Sequence, residues 1–156
     1  MTPYADTNFF TRHYLELPES PVVSALAARA EREGARALPV SWLHRLELCN
    51  ALQLHVFQGG SSGRKRVTAE QAAAALAVFR DNLERRVLVR TVALAIGDLE
   101  RQFEELSLRH TAKYGFRTYD LLHVSSALLL GCDSFWSFDP KATRLAELEG
   151  LEVLRQ

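Results

Sequence analysis

The distribution of apolar residues along the chain predicts short strands that alternate with longer helices. Strand-like runs, rich in apolar, aromatic or β-branched residues, occur five times: PYAD, ARALPVS, VLVRTV, FWSFD and LEVL. A segment with apolar residues at helical spacing starts at Ser20 and stops at Gly34, a residue type that commonly ends helices. Strands that alternate with helices are typical of a parallel sheet covered on both faces.

Further helices are predicted by the same spacing over most of the remaining chain. They start after Ser41 and after Thr68, and three more cover the sequences IGDLERQFEELSLRHTAKYG, TYDLLHVSSALLLG and PKATRLAELEG. The glycine- and serine-rich stretch 59–66 has a basic end and is interpreted as a connector within one fold. Residues 1–156 can bury one continuous core, so we expect a single α/β domain with a central, mostly parallel sheet of about five strands.

Composition removes several classes of partner. The formal net charge is zero, so a polyanion would have to be held by a local basic patch or through bound metal. No stretch approaches the roughly 20 apolar residues of a membrane span, and the start lacks a charged stretch followed by an apolar run. We therefore expect a cytoplasmic protein that makes no membrane contact.

Four carboxylates stand in apolar surroundings. Asp6 closes the first strand, Asp120 opens an apolar helix and Asp139 ends the run FWSF. Each of these aspartates also has an interpretation as a helix cap or a dipole partner. Glu47 has no such role, since it lies more than a turn inside its helix, on the predicted inward stripe Leu43, Leu46, Glu47, Asn50, Ala51 and Leu54. Glu47 must therefore be paired with a cationic side chain such as an arginine, protonated, or bound to a cation.

Taken together, the four carboxylates predict a cation site. Strand ends of an open parallel sheet converge on one crevice, and Asp6 and Asp139 are both expected there. Clustered carboxylates repel one another unless a divalent cation neutralises them, and hard oxygen ligands favour Mg²⁺ or Mn²⁺. The histidines and the two cysteines show no zinc spacing. Such cations support hydrolysis of phosphodiesters, which indicates nuclease chemistry.

The sequence also resembles a known family. YADTNFF, LHRLELCNAL, TYDLLHVSSALLLGC and SFWSFDPKATRLAELEGLEVL together resemble a PIN domain, specifically the VapC-type toxins of toxin–antitoxin pairs, over nearly the whole chain. The resemblance implies a three-layer α/β/α fold and a ribonuclease that uses Mg²⁺ or Mn²⁺. It also implies a homodimer and a cognate VapB-like antitoxin that occupies the active site.

By the same resemblance, Asp6, Glu47, Asp120 and Asp139 take the places of the family's acidic metal-binding and catalytic residues. Asn8 and Ser137 take the places of polar residues that support them, and Thr7 belongs to the same Asp-Thr-Asn motif. Ser125 and Ser126 stand where alanine is frequent in the family, and Ser137 where threonine is commoner. These are conservative departures that remove no ligand.

Other polar residues have two interpretations each. Arg64, Lys65 and Arg66 are candidates for contact with an RNA backbone, or they form a solvated loop tip. Arg117 contacts either the scissile phosphate or a carboxylate of the site. His123, one turn after Asp120, is either a hydrogen-bonded core residue or a support for a metal ligand.

Three rival functions remain at this level. An aspartyl-phosphate phosphotransferase would need a second aspartate where Asn8 stands. A magnesium-binding receiver-like signalling domain would need adjacent acidic residues after the first strand and a lysine near the last, and the chain offers Asp6 and Lys141. A catalytically inactive PIN-like binding protein is the third alternative, and the intact set of four carboxylates argues against it.

Overall fold

Five short strands lie at the five predicted places. A computed structural model of the chain describes residues 2–15, 17, 20–32 (backbone only at 29–31), 34, 37–58 and 67–154. The strands are β1 (Pro3–Ala5), β2 (Leu38–Val40), β3 (Val89–Thr91), β4 (Ser134–Trp136) and β5 (Glu152–Val153). Each has only two or three residues, so helices supply most of the structure.

Except for the first helix, which was not predicted as an element, the helices also follow the predicted segments. They are α1 (Thr7–Tyr14), α2 (Ser20–Arg32), α3 (Trp42–Gln58), α4 (Ala69–Arg85), α5 (Ile96–Leu106), α6 (Ala112–Tyr114), α7 (Thr118–Leu129) and α8 (Pro140–Leu148), with a π-helical turn, Ser107–Thr111, between α5 and α6. Thr68 caps α4 in a capping box with Gln71. None of the helices in the described part of the chain has the length and apolar character to span a membrane.

All strand pairs are parallel, as predicted, but the hydrogen-bonded ladder is smaller than five strands. β1, β4 and β5 form one ladder in the order β1-β4-β5, and β2 pairs with β3. β2 lies beside β1 without joining that ladder. Leu38 and Val40 direct their backbone groups to the β3 side. Pro39, the residue between them, would face β1 and has no N–H to donate.

The sheet separates two apolar clusters, which confirms the three-layer α/β/α arrangement. Neighbouring residues of a strand point to opposite faces. Accordingly, Tyr4 of β1 and Phe135 of β4 belong to the cluster formed with α5, α7 and α8. Ala5 and Trp136, the next residue in each strand, belong to the cluster formed with α1 to α4.

The predicted inward stripe of α3 was wrong in register. The buried residues of the helix are Leu43, His44, Leu48 and Leu52, whereas Leu46 and Leu54 are 67% and 45% exposed. The apolar pattern misled because His44, a polar residue by type, is fully buried among aromatic rings. Glu47 lies at the edge of the true stripe, which brings it to the carboxyl edge of the sheet.

Candidate active site

The four carboxylates lie around one cleft of about 310 Å³. Each is delivered by a different element. Asp6 lies between β1 and α1, Glu47 on α3, Asp120 in the first turn of α7, and Asp139 just before α8. The lining residues are Asp6, Thr7, Asn8, Glu47, Arg117, Tyr119, Asp120, His123, Asp139 and Ala142. The structure therefore brings together every acidic residue that the sequence singled out.

Asp6 is the most enclosed of the four. Its Oδ1 accepts the backbone N–H of Phe9 at 3.2 Å, so it caps α1. Its Oδ2 accepts hydrogen bonds from Asn8 Nδ2 at 2.7 Å and from Ser137 Oγ at 2.5 Å. Burial raises the pKa of Asp6 to about 6, although nearby His123 and the hydrogen bonds from Ser137 and Phe9 pull it down. Asp6 thus combines the capping interpretation with a place in the cleft.

Asn8 and Ser137 connect Asp6 to the segment that follows β4. Asn8 Oδ1 accepts the backbone N–H of Phe138 at 2.9 Å. Ser137 Oγ accepts the backbone N–H of Asp139 at 2.9 Å. The carboxyl ends of β1 and β4 are therefore tied together by side chains, and this fixes where Asp139 starts α8.

Glu47 is paired, but its partner is a histidine rather than the arginine considered from the sequence. Its Oε2 accepts from Thr7 Oγ1 at 2.5 Å and lies 2.6 Å from His123 Nε2. Burial alone would raise the pKa of Glu47, but the hydrogen bonds from His123 and Thr7 and the charge of His123 outweigh it, so the pKa is lowered. The side chain is 27% exposed, so Glu47 faces the cleft as a carboxylate.

Asp139 does not end a strand, which corrects one expectation. β4 stops at Trp136, and Asp139 is the N-cap of α8, where its Oδ1 accepts from Lys141 N at 2.8 Å and Ala142 N at 3.3 Å. Ser137 and Phe138, which hydrogen-bond to neighbouring segments, lie between the end of β4 and Asp139. Pro140 occupies the first position of α8. The carboxylate still reaches the cleft because its second oxygen points away from the cap.

Arg117 bridges the remaining pair of carboxylates. Its guanidinium lies 2.6 Å from Asp139 Oδ2 and 3.5 Å from Asp120 Oδ2, and its backbone N–H donates to Asp120 Oδ2 at 2.8 Å. The Arg117 side chain is 64% exposed, whereas that of Asp120 is 5% exposed. Of the two interpretations of Arg117, contact with a carboxylate is the one that the structure contains.

The donor chemistry of the cleft fits a hard divalent cation. All four acidic side chains offer oxygen, the ligand that Mg²⁺ and Mn²⁺ prefer. Among the described residues, neither Glu47 Oε1 nor Asp120 Oδ1 has a protein hydrogen-bond partner. In the same part of the chain no three acidic, histidine or cysteine side chains converge at ligand geometry. Arg117 supplies the charge that offsets Asp120 and Asp139 in this arrangement.

Two functional neighbours were missed by sequence reasoning. Tyr4 Oη lies 2.8 Å from His123 Nδ1, and His44 Nε2 lies 2.9 Å from the carbonyl oxygen of Ala5. Tyr4 and His44 are both completely buried. The sequence signal for Tyr4 is a polar group at the centre of the predicted strand β1, whereas His44 lay outside the predicted stripe of α3 and had no such signal. Arg64, Lys65 and Arg66 lie outside the described residues.

Comparison with known proteins supports the fold and leaves the activity open. The sequence matches no protein-family model and no curated protein. Among solved structures, the chain is similar to the Mycobacterium tuberculosis toxin VapC20, which cleaves the sarcin–ricin loop, with 17% identity over 99% of this chain and 100% of that chain and a TM-score of 0.66.

Two other solved structures agree. VapBC2 from Rickettsia felis, bound to a DNA fragment from its promoter, gives 17% identity and a TM-score of 0.62 over 99% of this chain and 98% of that chain. FitAcB from Neisseria gonorrhoeae gives 14% identity and a TM-score of 0.58 over 99% of this chain and 97% of that chain. The chain therefore has a VapC-like PIN fold.

Proposed function

We propose that this protein is a metal-dependent endoribonuclease that acts as the toxin of a toxin–antitoxin pair. The observation that carries the proposal is the convergence of four carboxylates, from four separate elements, on one cleft at the carboxyl edge of the sheet. Carboxylates grouped in this way favour a bound cation over mutual repulsion. The likeness to a toxin that cleaves RNA supports the choice of substrate class. We also propose that residues 1–156 form a single PIN-like domain.

In this proposal Asp6, Glu47, Asp120 and Asp139 hold Mg²⁺ or Mn²⁺. When bound, such ions polarise a phosphoryl oxygen and lower the pKa of the attacking water. The protein supplies the positioning: Asn8 and Ser137 orient Asp6, whereas Thr7 and His123 orient Glu47. We expect cleavage to leave a 5′-phosphate and a 3′-hydroxyl.

Arg117 has a second task in the proposal. Its exposed guanidinium can leave Asp120 and Asp139 when a cation arrives, since exposed ion pairs contribute little free energy. Once released, it lies at the mouth of the cleft and can bind a phosphate of the substrate. Arg64, Lys65 and Arg66 are proposed to add backbone contacts to the RNA.

The first test is calorimetric titration of Mn²⁺ into the wild-type protein and into Asp120→Asn and Glu47→Gln. Both variants should bind Mn²⁺ more weakly, because each loses a negatively charged oxygen ligand. Glu149→Gln is a matched control. Glu149 also pairs with a histidine, His110, at 2.6 Å, but it ties the π-helical turn to the end of α8 instead of facing the cleft. Equal affinity in wild type, Asp120→Asn and Glu47→Gln would refute the proposed site.

The second test is RNA cleavage in the presence of Mn²⁺ and in the presence of chelator. A panel of ribosomal, transfer and messenger RNAs should include a sarcin–ricin loop oligonucleotide, because a protein with the same fold cleaves that element. Cleavage that chelator abolishes, and that Asp120→Asn lacks, supports the proposal. Metal binding without cleavage of any RNA would favour the inactive, binding-protein alternative.

The partner proposal is tested separately. We propose that a VapB-like antitoxin covers the cleft, that the toxin forms a homodimer, and that both act in the cytoplasm. Co-expression with the product of an adjacent short reading frame should restore growth and yield a stable complex. Light scattering should give twice the chain mass of 17.6 kDa for the toxin alone. A monomer, or growth that the neighbouring product leaves unchanged, would contradict the corresponding part.

A further inference from the structure

At the rear of the cleft a series of hydrogen-bonded side chains leads from Glu47 to Tyr4, to which the proposed chemistry assigns no role. His123 uses both ring nitrogens: Nε2 lies 2.6 Å from Glu47 Oε2, and Nδ1 lies 2.8 Å from Tyr4 Oη. Glu47 is thus connected through one imidazole ring to a tyrosine in the centre of β1. Tyr4 is completely buried, and His123 is 4% exposed.

The direction of the contact at Glu47 follows from the chemistry of the groups. An ionised carboxylate only accepts hydrogen bonds, so the proton between Nε2 and Oε2 belongs to the histidine. A histidine ring can rotate or change its protonated nitrogen unless the second nitrogen is also held. Tyr4 is the group that holds the second nitrogen here.

The Tyr4 ring is held in position by the aromatic rings around it. Its ring stacks on Phe135 with 5.6 Å between centroids and 7° between planes. The ring of His44 packs against both Tyr4 and His123, with centroid distances of 5.0 Å and 5.2 Å. His44 is fixed in turn by hydrogen bonds with the backbone of Ala5 and Ser41. The oxygen of Tyr4 is therefore a fixed point set by the sheet.

We propose that Tyr4 is a positioning residue of the active site, which holds Glu47 in place through His123. His123 and Thr7 both hydrogen-bond to Oε2 of Glu47, which leaves Oε1 to face the cleft. The same strand then sets two carboxylates. β1 places Asp6 directly at its carboxyl end and places Glu47 through the Tyr4 hydroxyl two residues earlier. The inference rests on the proposed function only in taking Glu47 as a metal ligand.

The test compares two tyrosine-to-phenylalanine variants. Tyr4→Phe removes the hydroxyl from His123 and leaves the ring in the core. Tyr14→Phe removes a hydroxyl that accepts from Asn82 Nδ2 at 3.1 Å, at the far end of α1. Titration with Mn²⁺ alone should show about tenfold weaker binding in Tyr4→Phe, the low end of the effect of partners that orient metal ligands. Tyr14→Phe should bind as the wild type does.

A double variant separates positioning from general stability. His123→Gln removes the ring between Tyr4 and Glu47, so adding Tyr4→Phe should weaken Mn²⁺ binding no further. Losses that add in the double variant, or a Tyr4→Phe protein with wild-type affinity, would overturn the inference.

A spectroscopic measurement on metal-free protein tests the geometry without any activity. The Nε2 proton of His123 should give a separate NMR signal that exchanges slowly with water in the wild type and in Tyr14→Phe. That signal should broaden or disappear in Tyr4→Phe. Rapid exchange of this proton in the wild type would overturn the inference even if Tyr4→Phe failed to fold. Wild-type protein that binds no Mn²⁺ would instead refute the metal site, while the NMR result would still decide the role of Tyr4.

Discussion

The two walls of the cleft are built in opposite ways. On one wall, Asp6 and Glu47 are oriented by neutral or imidazole donors, of which Thr7, His123 and Ser137 are buried and Asn8 is half-buried. On the other wall, Asp120 and Asp139 are bridged by Arg117, whose side chain is 64% exposed. The first wall is fixed before any cation binds. The second wall depends on a cationic side chain that a metal ion can replace.

The difference predicts opposite responses to loss of a supporting residue. A neutral donor on the first wall helps a cation, because it orients the ligand and adds no positive charge. The arginine on the second wall competes with a cation, because both seek the same oxygens.

Asp6→Asn should lower the rate of RNA cleavage by about 10²–10³-fold, the usual loss when one preorganised electrostatic contact is removed. The amide can still cap α1, so the fold should persist. The measurement is single-turnover cleavage at saturating Mn²⁺, with circular dichroism to check folding. A rate within threefold of the wild type would remove Asp6 from the proposed metal site.

The stability of metal-free protein should depend on pH through Asp6. The pKa of Asp6 is raised to about 6 in the folded state, above 3.8, so folding is favoured below pH 4 and that contribution is lost as the pH rises through 6. Two pKa units correspond to about 3 kcal/mol of unfolding free energy. Urea unfolding from about pH 4 to about pH 7 should show that Asp6→Asn gains stability relative to wild type as the pH rises.

His44 provides the internal check on that experiment. Burial lowers the pKa of His44 to about 3, so its contribution is present above pH 6.5 and is lost as the pH falls toward 3. This dependence has the opposite sign and is shared by wild type and Asp6→Asn. Only the difference between the two proteins reports on Asp6, and a difference that is constant with pH would contradict its raised pKa.

Ser137→Ala should weaken Mn²⁺ binding about 10-fold to 100-fold. The change removes the donor to Asp6 Oδ2 and the acceptor for the backbone N–H of Asp139. Ser107→Ala is a matched control, because within the described part of the chain the Ser107 hydroxyl contacts only Thr111, at 3.4 Å and away from the cleft. Calorimetry on both variants makes the comparison, and equal affinities would show that Asp6 needs no support.

Arg117→Gln should have the smallest effect and the opposite sign. Removing the competing cation should tighten Mn²⁺ binding about twofold to fivefold, the range set by an exposed ion pair. RNA cleavage should fall at the same time if the guanidinium binds phosphate. Arg144→Gln, which breaks the exposed pair with Glu147, should change neither quantity. Weaker Mn²⁺ binding in Arg117→Gln would abolish the contrast between the walls.

Sequence reasoning succeeded where the relevant contacts are local. The caps of α1, α4 and α8 lie within three residues of the groups they bind, so Asp6, Thr68 and Asp139 could be recognised from spacing alone. The five strands and their parallel direction followed from the alternation with helices. The buried face of α3 could not be predicted in this way, because His44 is polar by type and an apolar pattern does not identify it as a core residue.

In the sheet, too, some features were predictable from the sequence and others were not. The positions of β1 and β2 were predictable, but the gap in the ladder between them was not. It depends on which neighbour each backbone group of β2 faces. Pro39 matters only because Leu38 and Val40 turn to β3.

The sequence by itself determined the elements, their caps and the carboxylates at their ends, because those features depend on neighbours within one turn or one strand. Only the tertiary structure decided how the carboxylates are held. Thr7 and Glu47 are 40 residues apart, and Tyr4 and His123 are 119 apart, yet both pairs lie within hydrogen-bond distance. Contacts of that separation exist only after the layers have packed, since packing alone selects which polar groups share a buried space.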